Sequence, residues 1–374
     1  MLSEGMALNQ QSCFDPVEEE MMPKGAVLSG KMALRVTPVF DTYWKFACER
    51  QSIFFRRLEG LRPWTQDPIL AAFRFTNPYR AADRVSQFLI RKVAYTGDPS
   101  PNELFFRIIL FKLFNKIETW QLLTRELGEL TYADYSYSTY DRILTCALSR
   151  GVRIYSAAYI MPSGGRNGSD RKHQSHLLLL DRMIREEVPR RIAAMARMED
   201  AFQLLRSFPM IGDFLAYQFV TDLNYSTLCN FREDEFVVPG PGACDGIRKC
   251  FPDVSMSIAP KIIQTIYDAQ EEQFARLGLQ FKTLWGRRLQ LIDCQNLFCE
   301  VDKYSRIAHP KILGISGRTR IKQAYRSKGE LPELFFPPKW NINDRIPQAH
   351  RWNSNDMDFT RSCSEAANAE LSFS

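Results

Sequence analysis

A chain of 374 residues, 45% apolar and 25% charged, is long enough for one large or two modest domains with real cores. Nineteen glycines and twenty prolines exclude collagen-like or low-complexity character, and no repeat of fixed period points to a solenoid. The net charge is +6, yet residues 1–37 and residues 341–374 each hold three basic and five acidic side chains, so the positive excess sits in between, as on a polyanion-binding surface.

Composition also sets the expected address. The most hydrophobic run, residues 104–123, is interrupted by Arg107, Lys112, Asn115, Lys116 and Glu118, which argues against a membrane-spanning helix. The N-terminus has no basic start followed by an apolar block, so an intracellular protein is expected, nuclear if the source is eukaryotic. Nine scattered cysteines without C-x-x-C spacing fit reduced thiols better than disulfides or a zinc site.

In chain order, residues 1–37 and 341–374 read as disordered tails, and 38–340 as a helical domain. The apolar period predicts helices over 40–56, after Pro78, and from Pro101 or Asn102 to Trp120, this last one central. Further helices are predicted at 139–150, 174–187, 192–205, 213–222, 259–277 and 284–302. Strand-like runs at 152–157 and 236–238 are too short for a substantial sheet, so the expected fold class is all-α.

Four segments carry candidate chemistry. In Phe73-Arg74-Phe75-Thr76-Asn77-Pro78-Tyr79-Arg80, continued to Gln87, the spacing of Arg80, Asp83, Arg84 and Gln87 predicts one helical face; arginine suits bidentate phosphate binding, and Asn77 or Tyr79 could hold a base. Lys112 and Asn115 interrupt the most apolar helix, where buried polar groups need partners unless they emerge at its edge. Residues 236–247 combine glycines and prolines in what reads as a stiff turn able to form an anion nest or a rigid connector. Asn296, Glu300 and Lys303 share a helical face that needs pairing. The loop 162–172 has three glycines and three basic residues, but no P-loop occurs anywhere. His173 and His176 lack further ligands nearby, so neither metal nor other cofactor is expected.

The stretch Phe208-Pro209-Met210-Ile211-Gly212-Asp213-Phe214-Leu215-Ala216 lies between two predicted helices, and Gly212 there can take a positive φ. It resembles the hairpin of helix-hairpin-helix DNA glycosylases, with Phe208, Pro209, Ile211, Gly212 and Ala216 in place, Met210 where that motif has its first glycine, and Phe214 where bifunctional members keep a lysine. The resemblance implies that Pro209, Ile211 and Gly212 anchor duplex phosphates on free helix N–H groups. It also implies a catalytic aspartate about twenty residues on; Asp234 fits this spacing, Asp222 fits it less well, and Glu233 is a close neighbour.

Taken together, F-R-x-T-N-x-Y-R-x-x-D-R, L-F-x-L-F-N-K-x-E-T-W, A-Y-I, F-P-x-I-G-x-F-L-A-Y-Q, V-x-G-P-G-A-x-x-G-I and N-L-x-C-E-x-D-K-Y resemble the phage thymine-hypermodification family over roughly residues 40–310. This family comprises α-glutamyl/putrescinyl thymine pyrophosphorylases and the similar helical domain of 5-hydroxymethyluracil DNA kinases. The resemblance implies a glycosylase-like fold that extrudes an activated base from double-stranded DNA and replaces its pyrophosphate with an amine. It assigns phosphate binding to Arg74, Arg80, Arg84 and Lys303, the carboxylate role to Asp234, and a base pocket to Asn77, Tyr79 and Asn115. Without a P-loop, a separate 5-hydroxymethyluracil DNA kinase would supply the pyrophosphate. A monofunctional glycosylase and a non-catalytic DNA-binding module are the alternatives.

Overall fold

Capping residues and prolines set the helix starts in a computed structural model that describes residues 26–28, 32–159, 161–163, 171–327 and 331–352. Two short strands, β1 (Ala26–Leu28) and β2 (Met32–Leu34), pair antiparallel. Thr37 caps α1 (Pro38–Leu58) by accepting from the Val39 N–H, and Asp67 caps α2 (Pro68–Ala72) by accepting from the N–H groups of Ile69 and Leu70.

A 3-10 turn over Arg80–Ala82 precedes α3 (Arg84–Leu89), which runs on into a π-helical turn over Ile90–Ala94. Next come α4 (Pro101–Phe114) and α5 (Ile117–Leu127), separated where Asn115 takes φ +48°. The sequence pattern alone runs these two together. Then follow α6 (Tyr137–Ser149), α7 (Lys172–Arg185), α8 (Val188–Ala193), α9 (Met198–Arg206) and α10 (Asp213–Asn224). The chain continues through α11 (Pro241–Cys250), α12 (Ala259–Arg276) and α13 (Leu291–Ala308).

The fold is all-α apart from the β1–β2 hairpin among the described residues. Neither 152–157 nor 236–238 forms a strand, and the expected helix at 192–205 is divided between α8 and α9. By its internal contacts the chain divides into two compact units.

One unit comprises the described residues of Met1–Pro78, Pro239–Thr283 and Leu289–Leu331. Its centre is α13, packed by α1, α2, α11 and α12. The glycine-rich stretch expected to be a stiff turn is largely α11. A Cβ at Gly246 would lie 2.0 Å from the Phe298 carbonyl oxygen, and one at Gly242 2.4 Å from Cys299 Sγ. These glycines therefore let two helix backbones touch; they do not shape an anion nest. The β1–β2 strands fall where a disordered tail is expected, while residues 1–25 lie outside the described residues.

The other unit comprises the described residues of Tyr79–Val238, Leu284–Arg288 and Pro332–Ser374. Here α4 is central: all its residues from Glu103 to Phe114 are buried, and α5, α7, α8 and α10 pack on it. The segment 341–352 is folded, contrary to its reading as tail, because Ile342, Ile346 and Trp352 are buried. Residues 353–374 lie outside the described residues.

Candidate functional site

Three elements of the second unit bring charge into its interior. Arg80 comes from the 3-10 turn, Lys112 from the last turn of α4, and Gln218 and Asp222 from one face of α10, four residues apart. Arg80 grips the Asp222 carboxylate with two bonds of 2.8 and 2.9 Å and donates from Nε to Gln218 Oε1 at 3.0 Å. The Lys112 ammonium lies 3.0 Å from Asp222 Oδ2 and donates to Asn115 Oδ1 at 2.8 Å. Arg80 and Lys112 are each 3% exposed and Asp222 1%, so this is a dry site with two cations facing one carboxylate.

Aromatic rings complete the surroundings. The Lys112 ammonium lies 4.4 Å from the Tyr159 ring centre, and the Arg80 guanidinium lies 5.5 Å from that of Tyr225 and 6.0 Å from that of Tyr159. The half-buried Tyr159, at φ +55°, stacks nearly parallel on Phe214 in the first turn of α10 at 5.6 Å. Burial pushes the Lys112 ammonium down to about 8, partly offset by Asp222. Burial opposes ionisation of Asp222 as well, but Arg80 and then Lys112 outweigh it and hold the carboxyl below its ordinary range.

The hairpin that starts α10 joins α9 to it. Gly212 is the N-cap with φ −84°, and the positive φ expected there falls on Met210 at +66°. The residue standing in for a glycine thus adopts a conformation that favours glycine. Asp213, in the first turn, is ion-paired with Arg206.

Asp234 lies half-buried in the same unit. Arg232 donates to both its oxygens, at 3.1 and 2.9 Å, and these hydrogen bonds foremost hold its carboxyl below the ordinary range. Its neighbour Glu233 is the more enclosed acid, accepting from Arg287 Nη2 at 2.7 Å and Trp340 Nε1 at 2.8 Å. The Arg287 guanidinium lies 3.7 Å from the Trp340 ring centre.

Arg80 and Arg84 do not share one helical face. Asp83 between them has ψ 148°, so the helical register restarts; Arg80 is buried, Arg84 exposed, and Gln87 is buried with its amide on the Ala81 and Phe335 backbone. Tyr79 is packed as core, its hydroxyl donating to the Arg287 carbonyl at 2.6 Å.

Arg74, Asn77 and Lys303 belong to the first unit. Lys303 Nζ donates to Glu300 Oε2 at 2.7 Å, the same oxygen that accepts the Thr76 N–H at 2.8 Å. Asn296 Nδ2 donates to Thr76 Oγ1 and the Asn77 carbonyl, both at 3.1 Å. The polar face of α13 therefore secures the segment around the buried Asn77, while Arg74 is exposed.

Two further expectations concern the histidines and the basic loop. His173 Nε2 lies 2.8 Å from Asp141 Oδ1; His176 accepts from the Tyr155 hydroxyl at 2.7 Å and donates from Nε2 to the Pro162 carbonyl at 2.9 Å. Among the described residues no group of three or more His, Cys, Asp or Glu side chains is arranged to hold a metal, and no helix is long and apolar enough to cross a membrane. Residues 164–170 of the basic loop lie outside the described residues.

Residues 37–314 match the family described as "5-hmdU DNA kinase, helical domain". The chain belongs to this family. It is 25% identical over 287 residues to a 5-hmdU DNA kinase of Bacillus phage SP10, an alignment covering 71% of this chain and 45% of that protein. The chain thus spans less than half the length of that curated relative. No solved structure matches it. Arg80, Lys112, Tyr159, Phe214 and Asp222 all fall within the 5-hmdU DNA kinase helical-domain region, whereas Trp340 falls outside it.

Sequence reasoning named Arg80 and Asn115 but set Asp222 aside and left Lys112 unassigned. The available signal was the placing of single charges in the two helices with the most apolar surroundings. Tyr159, in a loop, offered no comparable signal.

Proposed function

We propose that this chain acts on double-stranded DNA carrying 5-hydroxymethyluracil in an activated, pyrophosphorylated form, and replaces the pyrophosphate with an amine. The observation that carries this reading is that two buried cations, Arg80 and Lys112, meet on the Asp222 carboxylate. Buried in low dielectric, two such cations would interact strongly with a phosphate group brought to them. Family membership and the relative's name support the choice of a 5-hydroxymethyluracil base.

In this reading the base reaches the cations past Tyr159, the half-buried ring that faces them. Arg80 and Lys112 stabilise the departing pyrophosphate as the C–O bond at the exocyclic methylene breaks, and Asn115 fixes the ammonium. The amine nitrogen forms the new C–N bond and releases its proton to solvent. Asp234, ionised and weakly basic because Arg232 holds it, serves as electrostatic stabiliser of positive charge rather than as proton acceptor.

The remaining assignments concern the duplex. Pro209, Ile211 and Gly212 in a helix-hairpin-helix arrangement present the first N–H groups of α10 to backbone phosphates. The exposed Arg74 and Arg84 contact phosphates too. Within the first unit Lys303 contributes through the segment around Asn77 that it anchors with Glu300, and within the second unit Tyr79 supports the base pocket from the core. In this reading a separate kinase supplies the activated base.

The test is incubation with duplex DNA containing 5-hydroxymethyluracil or its pyrophosphate ester, with amines, followed by mass spectrometry of the nucleosides. Amine adducts support the transferase, and abasic sites would instead make it a glycosylase. A second reading, a recognition module without catalysis, is favoured by the match to a helical domain of a protein more than twice as long as the aligned region. In that case the DNA is bound and recovered unchanged.

A further inference from the structure

Past the end of the family match, residues 315–327 carry the first unit's chain onward without any helix. Arg318, Arg320, Lys322 and Arg326 lie here, all exposed, and no acidic residue occurs between Lys303 and Ser327. Among the described residues none of these four side chains has an ion-pair partner.

The backbone beneath them is nevertheless fixed. Ser316 donates from its N–H and its hydroxyl to the Asp245 carboxylate at 2.7 and 2.5 Å. Arg306 Nη1 donates to the Arg320 carbonyl at 3.0 Å. The Arg74 N–H donates to the Gln323 carbonyl at 3.0 Å and the Tyr325 N–H to the Ala72 carbonyl at 2.9 Å, so Phe73 and Ala324 form an antiparallel bridge and the exposed Arg74 adjoins the arm.

We propose that this arm, with Arg318, Arg320, Lys322, Arg326 and the adjoining Arg74, is a second DNA-contacting surface that follows the phosphate backbone of a duplex without reading sequence. Like charges held close together on a fixed backbone repel one another, and a polyanion relieves that repulsion while releasing its counterions. The cations are strung along the chain in the open, whereas a single small phosphate calls for donors converging on one point. Contacts of this kind position a protein on DNA and carry no base information. The choice of DNA over other polyanions rests on the function proposed above.

The experiment is fluorescence anisotropy of the full chain on thymine-containing, 5-hydroxymethyluracil-containing and RNA duplexes over a salt series. In the variant R318Q/R320Q/K322Q/R326Q, affinity for both DNA duplexes should fall by the same factor, about tenfold or more, and the log–log salt slope should shrink by about 2–4, near 0.9 per lost phosphate contact. The charge-keeping variant R318K/R320K/R326K should retain most of the wild-type slope. An unchanged slope on DNA in the glutamine variant, or a loss confined to RNA, overturns the proposal. Failure of the wild type to distinguish the two DNA duplexes counts against base recognition, and the slope comparison then still decides the arm.

Discussion

Lys112 Nζ lies 3.0 Å from Asp222 Oδ2, and both side chains are buried at the contact of α4 with α10. The same carboxylate holds Arg80 through two further bonds. A single acid thus keeps two desolvated cations in place. Removing its charge in Asp222→Asn is expected to destabilise the fold by about 3–5 kcal/mol, the cost of leaving buried charge unpaired. Urea unfolding monitored by circular dichroism checks this.

The Lys112 ammonium gives the site a pH signature. Its folded value of about 8 lies below the ordinary 10.5, so between these values the unfolded chain binds more protons than the folded one. Stability is therefore expected to rise with pH across that window. The rise should be missing in Lys112→Met, and urea midpoints of both proteins from pH 7 to 10 provide the comparison.

Asp234 should separate fold from chemistry. Its pair with Arg232 sits near the surface, the two side chains being 30% and 68% exposed, so Asp234→Asn should cost at most about 1 kcal/mol. Under the transferase reading the variant binds DNA as wild type does but yields no amine adduct. Unimpaired turnover would remove Asp234 from the chemistry.

Glycines 212 and 246 should respond to different degrees. A methyl at Gly246 meets the Phe298 carbonyl, and Gly246→Ala is expected to destabilise by about 1–3 kcal/mol or more as α11 is pushed from α13. At Gly212 nothing lies within 4 Å of an added Cβ and φ is −84°, so Gly212→Ala should cost no more than about 1 kcal/mol, a weaker N-cap. Thermal unfolding of the two variants distinguishes a packing role from a surface one.

Much of this architecture is written in local pattern. The prolines at the starts of α1, α2, α4 and α11 and the all-round apolar character of α4 are sequence signals, and the last correctly marked the centre of the second unit. The glycine-rich stretch misled because helix-to-helix contact and tight turning both favour glycine, and only the presence of α13 distinguishes them. Arg80 and Arg84 were wrongly joined because one extended residue, Asp83, resets the helical register without any proline or glycine to announce it. Asp222 was hidden for a different reason. Its partners come from residues 80 and 112, and such long-range pairing leaves no trace in the spacing around residue 222.

The central claim is that Arg80 and Lys112 receive an anionic group borne by a DNA base. Titration of otherwise identical duplexes carrying thymine, 5-hydroxymethyluracil or its pyrophosphate ester tests it most directly, with wild type beside Lys112→Met. The account predicts that wild type prefers the pyrophosphorylated duplex over the thymine duplex by about tenfold or more, the worth of a charge-assisted hydrogen bond, and that a folded Lys112→Met loses most of that preference. Equal affinity of wild type for all three duplexes, or a preference that survives in the variant, would contradict it.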